Sequence, residues 1–188
     1  MSKTIPILVV VDAESILRDH KPNGYTPVDL KNSGRGYVFL MSYWENVDRY
    51  QDIDLDPYMQ DQIGVQDQQE GGYSLNLKPE VDDIIRWRAV CLSSPFQHRC
   101  YLQSLTLIQG WTDWKFVTPP KPQIKRVTYA SVSAGSTAPR RVAPVVADDY
   151  WWESVVVGTT RQPYNVQYAI VDSDGSHRGI FSHDPYIT

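Results

Sequence analysis

Cysteine is scarce in this 188-residue chain, with two in all, and so are charge in excess of one sign and long apolar runs. Each shortage closes off a class of protein. Cys91 and Cys100 are too few for a disulfide scaffold and form no Cys-x-x-Cys pair, and no two of the four His stand at metal-ligand spacing, so neither a structural zinc nor another metal or cofactor is expected. A formal net charge of −4 argues against a general nucleic-acid binder, which needs a basic face to displace counterions from phosphates. The opening apolar run ends at Asp12, too short for a signal-peptide core or a membrane span, which predicts a cytoplasmic protein without a membrane partner. In that compartment Cys91 and Cys100 are expected as thiols, although their spacing would also let them close a disulfide across a hairpin.

What the chain does have is aromatic bulk, six Trp and twelve Tyr, which favours strands over helices. Its length suits one core, so a single domain over residues 1–188 is predicted. Ile5 to Val11 reads as a buried strand with Pro6 at its entrance, and Asp12 to Leu17 as a short helical turn. Residues 20–36 carry the turn chemistry of Lys21-Pro22-Asn23-Gly24 and Asn32-Ser33-Gly34-Arg35-Gly36 and read as a loop. Tyr37 to Trp44 is a second strand, residues 45–72 form a long acidic and Gln-rich excursion, and Tyr73 to Leu77 alternates as a half-buried strand.

In Ile84 to Val90, Ile85, Trp87 and Ala89 should share one face, with Arg86 and Arg88 on the other. Further strands are expected at Tyr101 to Ile108, Trp151 to Val157, Tyr164 to Asp172 and Gly179 to Ile187, with a hairpin at Ser173-Asp174-Gly175. Pro119 to Pro144, rich in Pro, Ser, Ala and Arg, reads as a linker or surface crossing. These elements predict an all-β fold, an antiparallel β-sandwich of about eight strands with long loops, for which a jelly roll is one layout.

Three blocks carry a family resemblance: the opening Ile7-Leu8-Val9-Val10-Val11-Asp12 with Ile16-Leu17, the middle Asp83-Ile84-Ile85-Arg86-Trp87-Arg88, and the close from Trp151-Trp152 through Asp184-Pro185-Tyr186-Ile187. Together they resemble the bacterial inclusion-body protein family of PixA and AidA. The family pattern has a Gly before the middle aspartate and a Trp before the final Asp-Pro, where this chain has Asp82 and His183. The resemblance implies a soluble all-β protein without catalytic activity, under quorum-sensing, growth-phase or stress control, and accumulating in some members as intracellular inclusion bodies.

The residues themselves suggest little chemistry. His20, His98, His177 and His183 could serve as bases, but no nucleophile-elbow signature accompanies them, so no catalytic residue is assigned. Asp172-Ser173-Asp174-Gly175 begins like a calcium loop yet lacks the later ligands, and a hairpin turn explains it. Asp52, Asp54 and Asp56 would lie on one side of an extended segment, where a solvated acidic loop is the simpler reading than a cation site. Gly34-Arg35-Gly36 lacks the frame of a phosphate loop, and Cys91, between Val90 and Leu92, reads as a small core residue.

Two features point outward. Trp151 and Trp152 must face opposite sides of a strand, and Trp111 and Trp114 flank the turn at Gly110, so these four form the candidate interaction surface. Charge is also segregated: residues 43–83 hold eleven acids against two bases, and residues 86–141 nine bases against one acid. Either the two segments neighbour each other within one subunit or they meet between copies. The predicted function is therefore a non-enzymatic protein that self-associates as a dimer or larger homo-oligomer. The alternative is a lectin-like sandwich binding a glycan ligand through exposed aromatics.

Overall fold

The computed structural model describes residues 2–30, 36–47, 75, 77–93, 97–133 and 141–187. Its elements are β1 (Thr4–Asp12), α1 (Ala13–Asp19), β2 (Val28–Asp29), β3 (Val38–Met41), β4 (Ile84–Leu92), β5 (His98–Leu107), β6 (Lys121–Ser133), β7 (Arg141–Val155), β8 (Gln162–Asp172), β9 (His177–His183) and β10 (Tyr186–Ile187). One sheet runs β3-β1-β4-β7-β6. In the other, β8 pairs with β5, β9 and β10, and β2 lies beside β9.

The inner face of the first sheet follows from period-two alternation. Ile5, Ile7, Val9 and Val11 of β1 stand in register with Ile85, Trp87, Ala89 and Cys91 of β4, and this row belongs to or packs against the core. Arg86 and Arg88 take the opposite face, as their places in the alternation require. From the second sheet, Tyr164, Val166, Tyr168 and Ile170 of β8 meet this row, together with Leu102 and Leu105 of β5 and Phe181 of β9. The two largest partners touch directly: the Trp87 indole donates to the Tyr164 hydroxyl at 3.2 Å, edge to face at 6.2 Å between ring centres. That bond satisfies both buried polar tips, and burial pushes the Tyr164 phenol well above its ordinary pKa.

The sandwich is as expected, but its sheets are mixed. β1 runs parallel to β4 and β2 parallel to β9, so the purely antiparallel arrangement is corrected to a mixed one with two parallel pairings among the described strands. The reason lies in connections that periodicity does not reveal: β1 and β4 are far apart in sequence, and the chain between them returns to the same end of the sheet. The short helix is α1, capped by the Asp12 carboxylate accepting from the Ser15 N–H at 3.0 Å and closed by the His20 N–H on the Ile16 carbonyl. Leu75 and Leu77 are buried, and Leu77 bridges to Val47. The hairpin at 173–175 is present, with Gly175 at φ +88°.

The larger correction concerns residues 119–144. Lys121–Ser133 and the start of Arg141–Val155 are not a linker but the two arms of a ladder, paired from Lys121 opposite Glu153 to Ser133 opposite Arg141.

Both departures from the family pattern have a structural setting. Asp82 is the one non-glycine with positive φ among the described residues, at +76°, where a glycine would carry no steric penalty. The turn it makes delivers Asp83 into the interior. Burial raises the Asp83 pKa, but the Glu80 and Lys3 N–H groups, each donating at 2.8 Å, outweigh it and keep the carboxylate below its ordinary range. His183 is fully buried on the inner face of β9, its ring 6.0 Å from that of Tyr168, and burial pushes its pKa down to about 3.

Candidate interaction surface

β7 changes character along its length. At Trp152 and Glu153 it lies between β4 and β6, Ser154 and Val155 pair with β4, and from Arg141 to Trp151 its described pairing is to β6 alone. The result is a two-stranded arm that continues the first sheet past the body of the sandwich. Opposed residues share a face, which divides its side chains into two sets. Ile124 with Tyr150, Arg126 with Asp148 and Thr128 with Val146 continue the inner face; Lys125 with Asp149, Val127 with Ala147 and Tyr129 with Val145 continue the outer one. Ile124 is 70% exposed and Val146 53%, while Tyr129 and Val145 are also open, so apolar groups meet solvent on both faces.

Where the arm leaves the body, its inner face forms one wall of a groove of about 550 Å³. Ile124, Asp148 and Tyr150 of the arm face Tyr101, Leu102 and Gln103 of β5, with Tyr25 and His177 at the rim. Tyr25 is stacked on the His177 ring at 4.5 Å between centres, and 78% of it is exposed. The groove thus offers flat aromatic faces, a carboxylate and an amide together.

The four tryptophans take different places. Trp151 lies on the outer face and is nearly buried, because the guanidinium carbons of Arg86 and Arg88 sit 5.4 and 5.3 Å from its ring centre and its indole donates to Glu153 at 3.1 Å. Trp152 points inward, packs against the core, and donates to the Tyr150 hydroxyl at 2.8 Å and the Leu102 carbonyl at 3.3 Å. Trp114 also packs against the core, 6.5 Å from the Tyr164 ring, and Trp111 is half-buried beyond Gly110, whose φ is +95°. Tyrosines, not these tryptophans, provide the groove's aromatic faces. Tyr25, Tyr101 and Tyr150 come from distant parts of the chain, and no local spacing announces their convergence.

Charge is settled partly within the subunit. Arg86 pairs with Glu153 at 2.6 Å and Arg88 pairs with Asp149, so two bases of the positive segment are matched by acids of β7 rather than by residues 43–83. Glu153 is partly desolvated, which raises its pKa, yet the Arg86 and Trp151 donors hold it below the ordinary carboxylate range. Asp52, Asp54 and Asp56, with most of the acidic excursion, and Gly34-Arg35 lie outside the described residues.

The histidines are dispersed among different neighbours: His98 Nδ1 lies 2.9 Å from the Asp172 carboxylate, His20 meets the edge of Tyr37, His177 stacks on Tyr25, and His183 is in the core. Asp172 also lies 3.6 Å from Arg178, and Asp174 accepts from the Ser176 N–H, so both acids of the calcium-like turn serve the hairpin. Among the described residues no group of His, Cys, Asp and Glu is arranged to hold a metal ion, and no helix is long and apolar enough to cross a membrane.

Comparison with known proteins is consistent with this architecture. A search of curated protein sequences finds no match. The crystal structure of an inclusion body protein (PixA) from Burkholderia cenocepacia J2315 superposes with a TM-score of 0.67 at 16% identity, covering 100% of this chain and 95% of that one, and so shares the fold. The family model described as PixA, inclusion body protein, matches residues 3–188, which makes this chain a member of the PixA inclusion body protein family.

Proposed function

We propose that this chain is a non-enzymatic protein that accumulates in the cell and self-associates, with the β6–β7 arm as the contact between copies. The observation that carries this reading is the outer edge of β6. Among the described residues no strand pairs with it, and after Pro122 no proline interrupts Gln123 to Ser133. An open strand edge is a template for pairing, and a two-stranded ribbon is marginal in water unless something covers it. A second copy bringing its own β6 across a two-fold axis would extend both sheets into one, satisfy both open edges and set the exposed side chains of each arm beside those of the other. Membership of an inclusion-body family supports accumulation as the physiological outcome, under control by cell density, growth phase or stress.

Light scattering after size exclusion, across protein concentration and salt, tests the proposal. The expected species is a dimer or larger, and the double variant Tyr129→Lys, Val146→Lys, which places charge on both arm faces, should run as a monomer. A wild-type monomer under every condition would sink self-association. A variant that assembled like wild type would move the contact away from the arm.

The groove favours a second reading, binding of a carbohydrate. Sugar rings stack on tyrosine faces, and the Asp148 carboxylate and Gln103 amide that line the same groove are groups that bond hydroxyls. A glycan array should then show binding that Tyr101→Ala abolishes; an array without any bound glycan removes this reading.

A further inference from the structure

Cys91 and Cys100 belong to different sheets yet face each other. Cys91 is the next inward position of β4 after Ile85, Trp87 and Ala89, in register with Val11 of β1. Cys100 is inward on β5, in register with Ile170 of β8 and two positions before the buried Leu102. Both are free and partly buried, and both pack against the core; Ser93 and His98, which close the connection between β4 and β5, are tied by two hydrogen bonds of 3.2 Å, and each cysteine stands two positions further into its strand. Two cysteines on facing inward positions, two residues from a tied connection, are placed for a bridge between the sheets.

We propose that Cys91 and Cys100 form a dithiol site that reacts with low-molecular-weight disulfides and closes to a bridge between the two sheets. The roles of the thiols differ. The neighbouring Cys100 thiol, with smaller contributions from Ser93 and Ala13, holds the Cys91 pKa below the ordinary thiol value against the opposing effect of burial. Cys100 is the more deeply placed, and its Cys91 neighbour and burial both push its pKa up. Cys91 is therefore the attacking group and Cys100 the resolving one.

The steps balance. The Cys91 thiolate attacks one sulfur of R–S–S–R, the S–S bond breaks, and RS⁻ leaves and takes up a proton. The Cys91–S–S–R adduct no longer carries the thiolate that disfavoured ionisation of Cys100. Cys100 then gives up its proton, attacks the Cys91 sulfur and expels the second RS⁻, which is protonated in turn. Two hydrogens and two electrons pass from the protein to the small disulfide, leaving two RSH. The chemistry is independent of self-association, because it is completed within one chain.

Glutathione disulfide is the probe, mixed with glutathione at a series of ratios, with acid quenching and intact mass measured on the denatured chain. Wild type should convert to a form lighter by two hydrogens, monomeric on a non-reducing gel. Cys100→Ser should stop at a glutathione adduct on Cys91, and Cys91→Ser should form its adduct at Cys100 roughly ten-fold more slowly or worse. A persistent adduct on wild type, disulfides between chains, no reaction at any ratio, or equal rates in the two variants would each overturn the assignment. Both variants keep a side chain of similar shape, and the wild-type result stands even if one of them folds poorly.

Discussion

Within a single sheet, β7 passes through two environments. At Trp152 it lies between β4 and β6, with Trp87 opposite and the second sheet beneath; at Val146 it has β6 beside it and solvent on both faces. The hydrogen-bond ladder is continuous across the change, so backbone pairing alone does not distinguish body from arm. The difference lies in burial. The body draws its stability from large apolar side chains removed from water, worth about 1.5–3 kcal/mol for each fully buried one, whereas Ile124, Tyr129, Val145 and Val146 of the arm stay largely in water. On the proposed assembly, changes in the arm cost little in the monomer and much between copies.

The contrast can be broken at several points. Trp87→Ala removes the largest buried side chain of the body and leaves the Tyr164 hydroxyl without its indole donor; urea denaturation should show a loss of roughly 3–5 kcal/mol. His183 makes the body sensitive to acid. Its folded pKa of about 3 lies below the unfolded value near 6.5, so the unfolded chain binds the proton first. Stability is therefore complete above about pH 6.5 and falls by up to about 1.4 kcal/mol per pH unit as pH drops toward 3. Replacing His183 with Phe should flatten that acid limb in pH-dependent unfolding; an unchanged limb would assign it to other groups.

Smaller effects sharpen the comparison. Asp82→Gly relieves a left-handed backbone at the turn beneath β4 and should raise the midpoint of thermal unfolding, corresponding to about 1 kcal/mol. Alkylation of Cys91 by iodoacetamide, followed against pH in the Cys100→Ala and wild-type proteins, should have its midpoint below that of a free thiol in wild type and move upward when the Cys100 thiol is removed. The smallest stability change belongs to the arm: Tyr129→Lys or Val146→Lys should lie within about 0.5 kcal/mol of wild type in the monomer. A large loss there would mean that the arm is packed rather than awaiting a partner.

Much of the body was legible in the chain. Ile5 to Val11 announces its burial as an apolar run, Tyr164 to Asp172 reads as a strand, and in Ile84 to Val90 the inward Trp87 with outward Arg86 and Arg88 follows directly from period-two alternation. The opposed faces of Trp151 and Trp152 were equally legible, but not that two arginines would cover the outward one. The arm was misread because a strand exposed on both faces needs no apolar alternation; its Pro, Ser, Ala and Arg composition looks like a linker while its backbone forms a ladder. The groove was missed because its tyrosines, at 25, 101 and 150, converge only in space.

Apolar runs and alternation thus assigned the main strands of the body and their buried faces, and three sequence blocks pointed to the family. Those are local properties, set by backbone geometry and side-chain type within a few residues. The parallel pairing of β1 with β4, the open edge of β6, the tyrosine groove and the meeting of Cys91 with Cys100 all depend on which distant segments become neighbours. That choice is made by the joint packing of two sheets around Trp87 and Tyr164, an energy shared among many residues and readable from no single stretch of the chain.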